Sequence, residues 1–155
     1  MIQRIQTLYL LAALALMVVM LLLPFAEIAA IDGSMYNFGS EGLKRLDGDA
    51  WLVVSGAIPL FVLILVIAIL LLAALLLFRN RRLQMRVCVY VIILEFGLIG
   101  LGYYYFFLAF RDIEVSNYAF RLPVIIPVLA IIIIYLAFRA IRKDYILVRS
   151  IDKIR

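Results

Sequence analysis

Glu95 is the residue best placed to do chemistry, a carboxyl set inside an apolar run as the ninth residue after Arg86. If that run is a membrane-crossing helix, a rise of about 1.5 Å per residue puts the carboxyl roughly 13 Å deep, near the midplane. Carrying an acidic group there costs on the order of 2.5–3.5 kcal/mol, and such groups face a bundle interior or a water-filled path. No Lys or Arg stands within an apolar run to pair with it. Glu95 is therefore a proton or cation site, a structural carboxyl held by tyrosine and serine hydroxyls, or a group awaiting another protein. Gly97 and Gly100 would let a neighbouring helix approach closely just beyond it, though not at GxxxG spacing.

Two further groups of charged residues carry information. Asp32, Glu41, Asp47 and Asp49 suggest calcium, but an EF-hand alternates its oxygen ligands within twelve residues, and only Asp47 and Asp49 have close spacing. A solvated loop over residues 31–50, with turn signals at Asp32-Gly33, Gly39-Ser40 and Asp47-Gly48, is the better reading. At the other end of the chain, Arg139, Arg142, Lys143, Arg149 and Lys153 share one arc of a helical wheel. Ile141, Tyr145, Leu147, Val148, Ile151 and Ile154 cover much of the opposite arc, interrupted by Asp144 and Asp152. Such a helix lies on an anionic leaflet or docks on a partner, or its cations serve only to anchor the topology. The contact residues predicted from this are Arg142, Arg149, Asp152, Lys153 and Arg155, with the basic turn Arg79, Arg81, Arg82 and Arg86 as a second half of the surface. Stacking aromatics and a basic groove are missing, so nucleic acid is not an expected partner. With no histidine and a single cysteine, Cys88, no catalytic residue, metal site or cofactor is expected.

The elements that position these groups are four long apolar stretches, about 5–30, 51–78, 87–110 and 122–138. Each is long enough for a hydrocarbon core of about 30 Å. At 68% hydrophobic residues and a mean hydropathy of +1.19, the chain has too little polar surface to cover a soluble globule. The four stretches use almost the whole of the 155 residues, which predicts one domain.

If the spans alternate in direction, Arg4, Arg79, Arg81, Arg82, Arg86, Arg139, Arg142, Lys143, Arg149, Lys153 and Arg155 fall on one side, against Lys44, Arg45, Arg111 and Arg121 on the other. That bias predicts both termini in the cytoplasm. The run from Leu8 to Ala26 exceeds a secretory-signal core of about 7–15 residues, so the first stretch is expected to be a retained helix.

Finer expectations follow from local residues. Asp49 is placed to cap the second span, Trp51 and the block Tyr103–Phe107 suit a membrane interface, and the link Arg79–Arg86 forces spans two and three to be antiparallel neighbours. Pro24, Pro59, Pro123 and Pro127 all fall in the outer half. They either sit in helix ends, where proline is tolerated, or loosen a layer of helices around a cavity.

The opening Met1-Ile2-Gln3-Arg4-Ile5-Gln6-Thr7-Leu8 and the closing Leu147-Val148-Arg149-Ser150-Ile151-Asp152-Lys153-Ile154-Arg155, preceded by Lys143-Asp144, resemble a family of uncharacterised four-span inner-membrane proteins of Bacteroidota, along the whole chain. The resemblance implies a Gram-negative cytoplasmic membrane with both ends inside, and no activity. Tyr145, Ile146 and Ile151 are bulkier and more apolar than that family's pattern, which shifts the expected contact of the tail toward lipid or an apolar groove.

Together these readings predict an all-α membrane protein: four antiparallel transmembrane helices with a cytoplasmic C-terminal amphipathic helical tail. The expected role is a non-enzymatic inner-membrane scaffold or accessory subunit that recruits a protein partner or membrane lipids through its basic cytoplasmic face. A homo-oligomer is a further expectation. The alternative is a small oligomeric transporter or ion-linked channel using Glu95.

Overall fold

Pro24 ends the first helix, because it lacks an N–H and disfavours helical backbone in the residue before it. The computed structural model, which describes residues 2–48, 50–78, 80–111 and 113–152, accordingly places helix α1 at Ile2–Leu22. Four strands follow, β1 (Ala26–Ala30), β2 (Met35–Gly39), β3 (Gly42–Asp47) and β4 (Ala50–Gly56). Then come α2 (Ile58–Leu76), α3 (Arg81–Arg111), β5 (Val115–Phe120), a short 3₁₀ turn at Leu122–Ile125 and α4 (Ile126–Asp152).

The all-α expectation is thus corrected. The five strands form one antiparallel sheet in the order β4-β3-β2-β1-β5. Residues 26–30 and 51–56, which hydropathy assigns to the ends of spans one and two, lie in strands β1 and β4. The supposed loop 31–50 supplies two more, and the 111–121 connection a fifth. A short apolar run does not by itself distinguish helix from strand. Alternating burial along β1, with Ala26, Ile28 and Ala30 inward, decides it there.

The three turn signals of the loop are hairpin turns. Ser34 donates from its backbone N–H and its hydroxyl to the Asp32 carboxylate at 2.9 and 2.8 Å, and Gly33 takes φ +81°. Gly39 pairs with Gly42 around a two-residue turn, and Asp47 with Ala50 around another. Gly42 is obligatory: at φ +114°, a Cβ there would stand 2.1 Å from the Ser55 carbonyl oxygen.

The helices form a closed ring in which each packs on the next and α4 returns to α1. Its core holds Leu10, Met17, Leu60, Ile64, Ile67, Leu98, Ile134 and Ile141. Ala26, Ile28 and Phe38 carry that core onto one face of the sheet, which covers one end of the ring. Phe106 of α3 fastens the two layers, with ring centroids 5.7 Å from Phe38 and 5.1 Å from Phe120.

Orphan carbonyls at helix ends find side chains: the Ser40 hydroxyl donates to Leu21 O and the Gln84 amide to Ala74 O, both at 3.0 Å. All four prolines occupy connections or first turns. Pro24 follows α1, Pro59 is at the start of α2, Pro123 opens the 3₁₀ turn and Pro127 is the second residue of α4. Each proline thus sits at a helix end, where its missing N–H is tolerated. Asp49 lies outside the described residues, and α2 begins eight positions after Ala50 with Ala57, not an acid, at its cap.

Candidate functional site

Glu95 is fully buried in α3, and neither carboxyl oxygen has a hydrogen-bond partner. The expected hydroxyl partners are absent among the described residues. Val91 and Leu98 share its buried face one turn to either side, while the other helices bring Leu10, Ala13, Met17, Ile64, Ala130 and Ile134 to the same core. Among the described residues the carboxyl is thus the one acidic group enclosed by the apolar helices, since the other buried acid, Asp144, lies near the far end of α4. Gly97 and Gly100 are exposed and have nothing within 4 Å of a built Cβ, so no helix approaches through them. Gly102 is the glycine that meets a neighbour, at 4.0 Å from Leu60 Cδ1.

One turn beyond Glu95, Leu98 lines a cavity of about 260 Å³ between the sheet and the ring. Met20, Phe38, Leu60, Phe106 and Pro127 form much of the rest. Its lining is almost wholly apolar, so it suits an alkyl group rather than a reaction that needs an acid, base or metal. His, Cys, Asp and Glu form no group capable of holding a metal ion among the described residues. Cys88 is buried and free.

At the opposite end, the basic turn and α4 meet directly. Arg81 donates from Nη1 to the Asp144 carbonyl at 3.1 Å, and its Nη2 lies 3.9 Å from the Asp144 carboxylate. Arg82 donates from Nε to the Tyr145 hydroxyl at 2.7 Å, with its guanidinium 5.5 Å from the ring centre. Asp144 is 7% exposed, so the acid that interrupts the apolar arc of the tail is an anchor for Arg81. Gln6 of α1 adds a bond from its amide to Ala140 O at 3.1 Å.

The tail is consequently no separate segment. It is the end of α4, which continues unbroken from the apolar stretch, and Ile141 remains in the bundle core. Arg86, Arg139, Arg142 and Lys143 are exposed around this junction. Of the predicted contact residues, Arg79, Lys153 and Arg155 lie outside the described residues, and Arg149 and Asp152 are placed by the backbone alone, in the last turn of α4. Sequence reasoning missed Gln6 and Gln84, buried amides whose partners are backbone carbonyls remote in sequence or on another helix. It also missed the ion pair between Arg121 and Glu27 that ties the exit of β5 to β1.

Fold and site together define a class: a ring of four helices, each long and apolar enough to cross a membrane, with an antiparallel sheet at one end and clustered cations at the other. The chain belongs to the family described as a domain of unknown function, DUF4293, whose family model matches residues 2–154. No curated protein matches it.

Proposed function

We propose that this protein is a multi-pass scaffold or accessory subunit of a bacterial cytoplasmic membrane, non-enzymatic, with both termini in the cytoplasm. It recruits a protein partner or anionic lipid through the basic end of the bundle. The observation that carries this reading is the double contact of Arg81 with Asp144 and Arg82 with Tyr145. It joins the start of α3 and the end of α4 into one surface, around which the cations Arg86, Arg139, Arg142 and Lys143 are exposed. A surface joined in this way favours binding because less freedom is lost on contact. The positive-inside bias supports the orientation.

The test is quantitative recovery of proteins and phospholipids with the full-length chain in gentle detergent, beside Arg142→Gln/Lys143→Gln, which leaves the Arg81 and Arg82 contacts intact. Loss of a specific partner or of anionic lipid in the variant is expected; unchanged recovery of both would sink the reading.

The unpartnered carboxyl of Glu95 favours a second reading, a small ion-linked carrier or channel. In proteoliposomes containing a trapped pH dye, such a protein speeds the collapse of an imposed pH gradient, and Glu95→Gln abolishes that acceleration. Equal rates for both proteins and for empty vesicles would eliminate it.

A further inference from the structure

Strand β4 is exposed along all seven residues, on both faces of the sheet. Trp51, Leu52, Val53 and Val54 are 43%, 53%, 56% and 58% exposed. The strand contains no charged residue and no proline. It is also an edge, pairing with β3 alone. One row of its backbone N–H and C=O groups therefore has no ladder partner, and no side-chain hydrogen bond reaches it among the described residues.

These two properties conflict in any simple solvent. Water satisfies the free backbone edge but not four adjacent large apolar side chains. Hydrocarbon accommodates the side chains but leaves the backbone groups unpaired, which is why open sheet edges are not found facing lipid. Edges that remain single in water are blunted by charge, proline or a covering element. The other edge of this sheet has a partial device of another kind: the Asn117 side-chain oxygen accepts the Tyr118 backbone N–H at 2.8 Å, which satisfies one donor within the strand. β4 has none, and only another strand satisfies its backbone and its side chains at once.

We propose that β4 pairs antiparallel with β4 of a second copy of this chain, joining two five-stranded sheets into one of ten strands. A second copy fits for three reasons. Ala50–Val53 hold a regular register with Asp47–Lys44, ahead of the irregularity at Val54, so a straight segment is ready to pair. Self-pairing brings no like charges together and sets apolar side chains against apolar ones on both faces. The two-fold axis that relates antiparallel identical strands is perpendicular to the sheet, and this sheet lays its face on the end of the ring, so both copies keep the same orientation relative to a membrane. The result is a closed, isologous dimer. Helix α2 starts two residues after β4 and continues the seam with exposed Ile58 and Val62.

The experiment uses the full-length chain in lipid nanodiscs and mild detergent. Light scattering should give two copies of the 17.7 kDa chain, and Leu52→Lys and Val53→Lys should each weaken dimerisation at least tenfold with an unchanged circular dichroism spectrum. In a Cys88→Ala background, a single cysteine at Leu52 or Val53 should form a covalent dimer with a short bis-maleimide, whereas one at Ser116 on the β5 edge should not. A single-copy mass at every concentration overturns the proposal. So does a dimer indifferent to both lysines, or a ladder of larger species joined between β4 and β5. Co-purification of a different protein strand on β4 in place of a second copy also overturns it.

Discussion

A carboxyl with both oxygens unpartnered and no exposure, as at Glu95, is a net cost to folding. Glu95→Leu removes that cost at similar volume and is expected to stabilise the fold by about 1–3 kcal/mol, read from unfolding in a denaturing-detergent titration. A loss of stability instead would mean that the carboxyl has a partner in the assembled protein. Asp32 illustrates the opposite balance. The Ser34 N–H and hydroxyl bonded to its carboxylate hold its pKa below the ordinary 3.8. Because the folded value is the lower one, the turn gains from these bonds above about pH 4. The gain disappears as pH falls through the depressed value. In an NMR titration, Ser34→Ala, which removes the hydroxyl bond and keeps the backbone N–H bond, should move the Asp32 midpoint part of the way up toward 3.8; no movement would dismiss the hydroxyl bond as a cause.

Among the elements, the β3–β4 hairpin and the end of α4 make the sharpest demands. Gly42→Ala forces a Cβ to 2.1 Å from Ser55 O and 2.7 Å from Ala57 N at a φ of +114°. It should cost at least about 1–3 kcal/mol and separate β3 from the joint between β4 and α2. Gly33→Ala, which meets nothing within 4 Å but retains φ +81°, should cost less. Thermal unfolding of the two variants compares them directly, and equal losses would refute the packing argument at Gly42. At the other end, removing everything after Arg139 deletes buried Ile141, the Asp144 anchor and Tyr145. That truncation should destabilise the bundle by several kcal/mol, since it strips a core side chain and leaves Arg81 without its partners. A chain ending after Leu147 keeps all three and should unfold like the full-length protein.

For the whole molecule, the charges are segregated along the ring. Arg81, Arg82, Arg86, Arg139, Arg142 and Lys143 gather at one end, whereas Lys44, Arg45 and Arg121 belong to the sheet end beside Glu27, Glu41 and Asp47. Under the proposed orientation, a single cysteine at Met35 should react with a membrane-impermeant maleimide added outside intact spheroplasts. One at Lys143 should react only after permeabilisation, and the reverse pattern would invert the topology. The cavity behind Phe106 lies on the outer side in this arrangement, between the sheet and the apolar part of the ring.

The amino-acid sequence alone determined the number of long apolar stretches, the grouping of cations between them and the turn positions at Asp32-Gly33, Gly39-Ser40 and Asp47-Gly48. Each is a local or compositional property, fixed by hydropathy over about twenty residues or by the backbone freedom of a glycine. The three turns also held the signal for hairpins, in their even spacing and in the aromatic and β-branched residues of Met35–Phe38 and Trp51–Val54. High hydropathy masked that signal where residues 26–30 and 51–56 continue apolar runs. Tertiary structure alone decided the rest, because it depends on pairs far apart in the chain. β5 joins β1 across more than eighty residues, Asp144 meets Arg81, and Glu95 is left without a partner. An apolar residue carries no local mark of whether a helix core, a sheet face or a lipid tail will cover it; only packing assigns that neighbour.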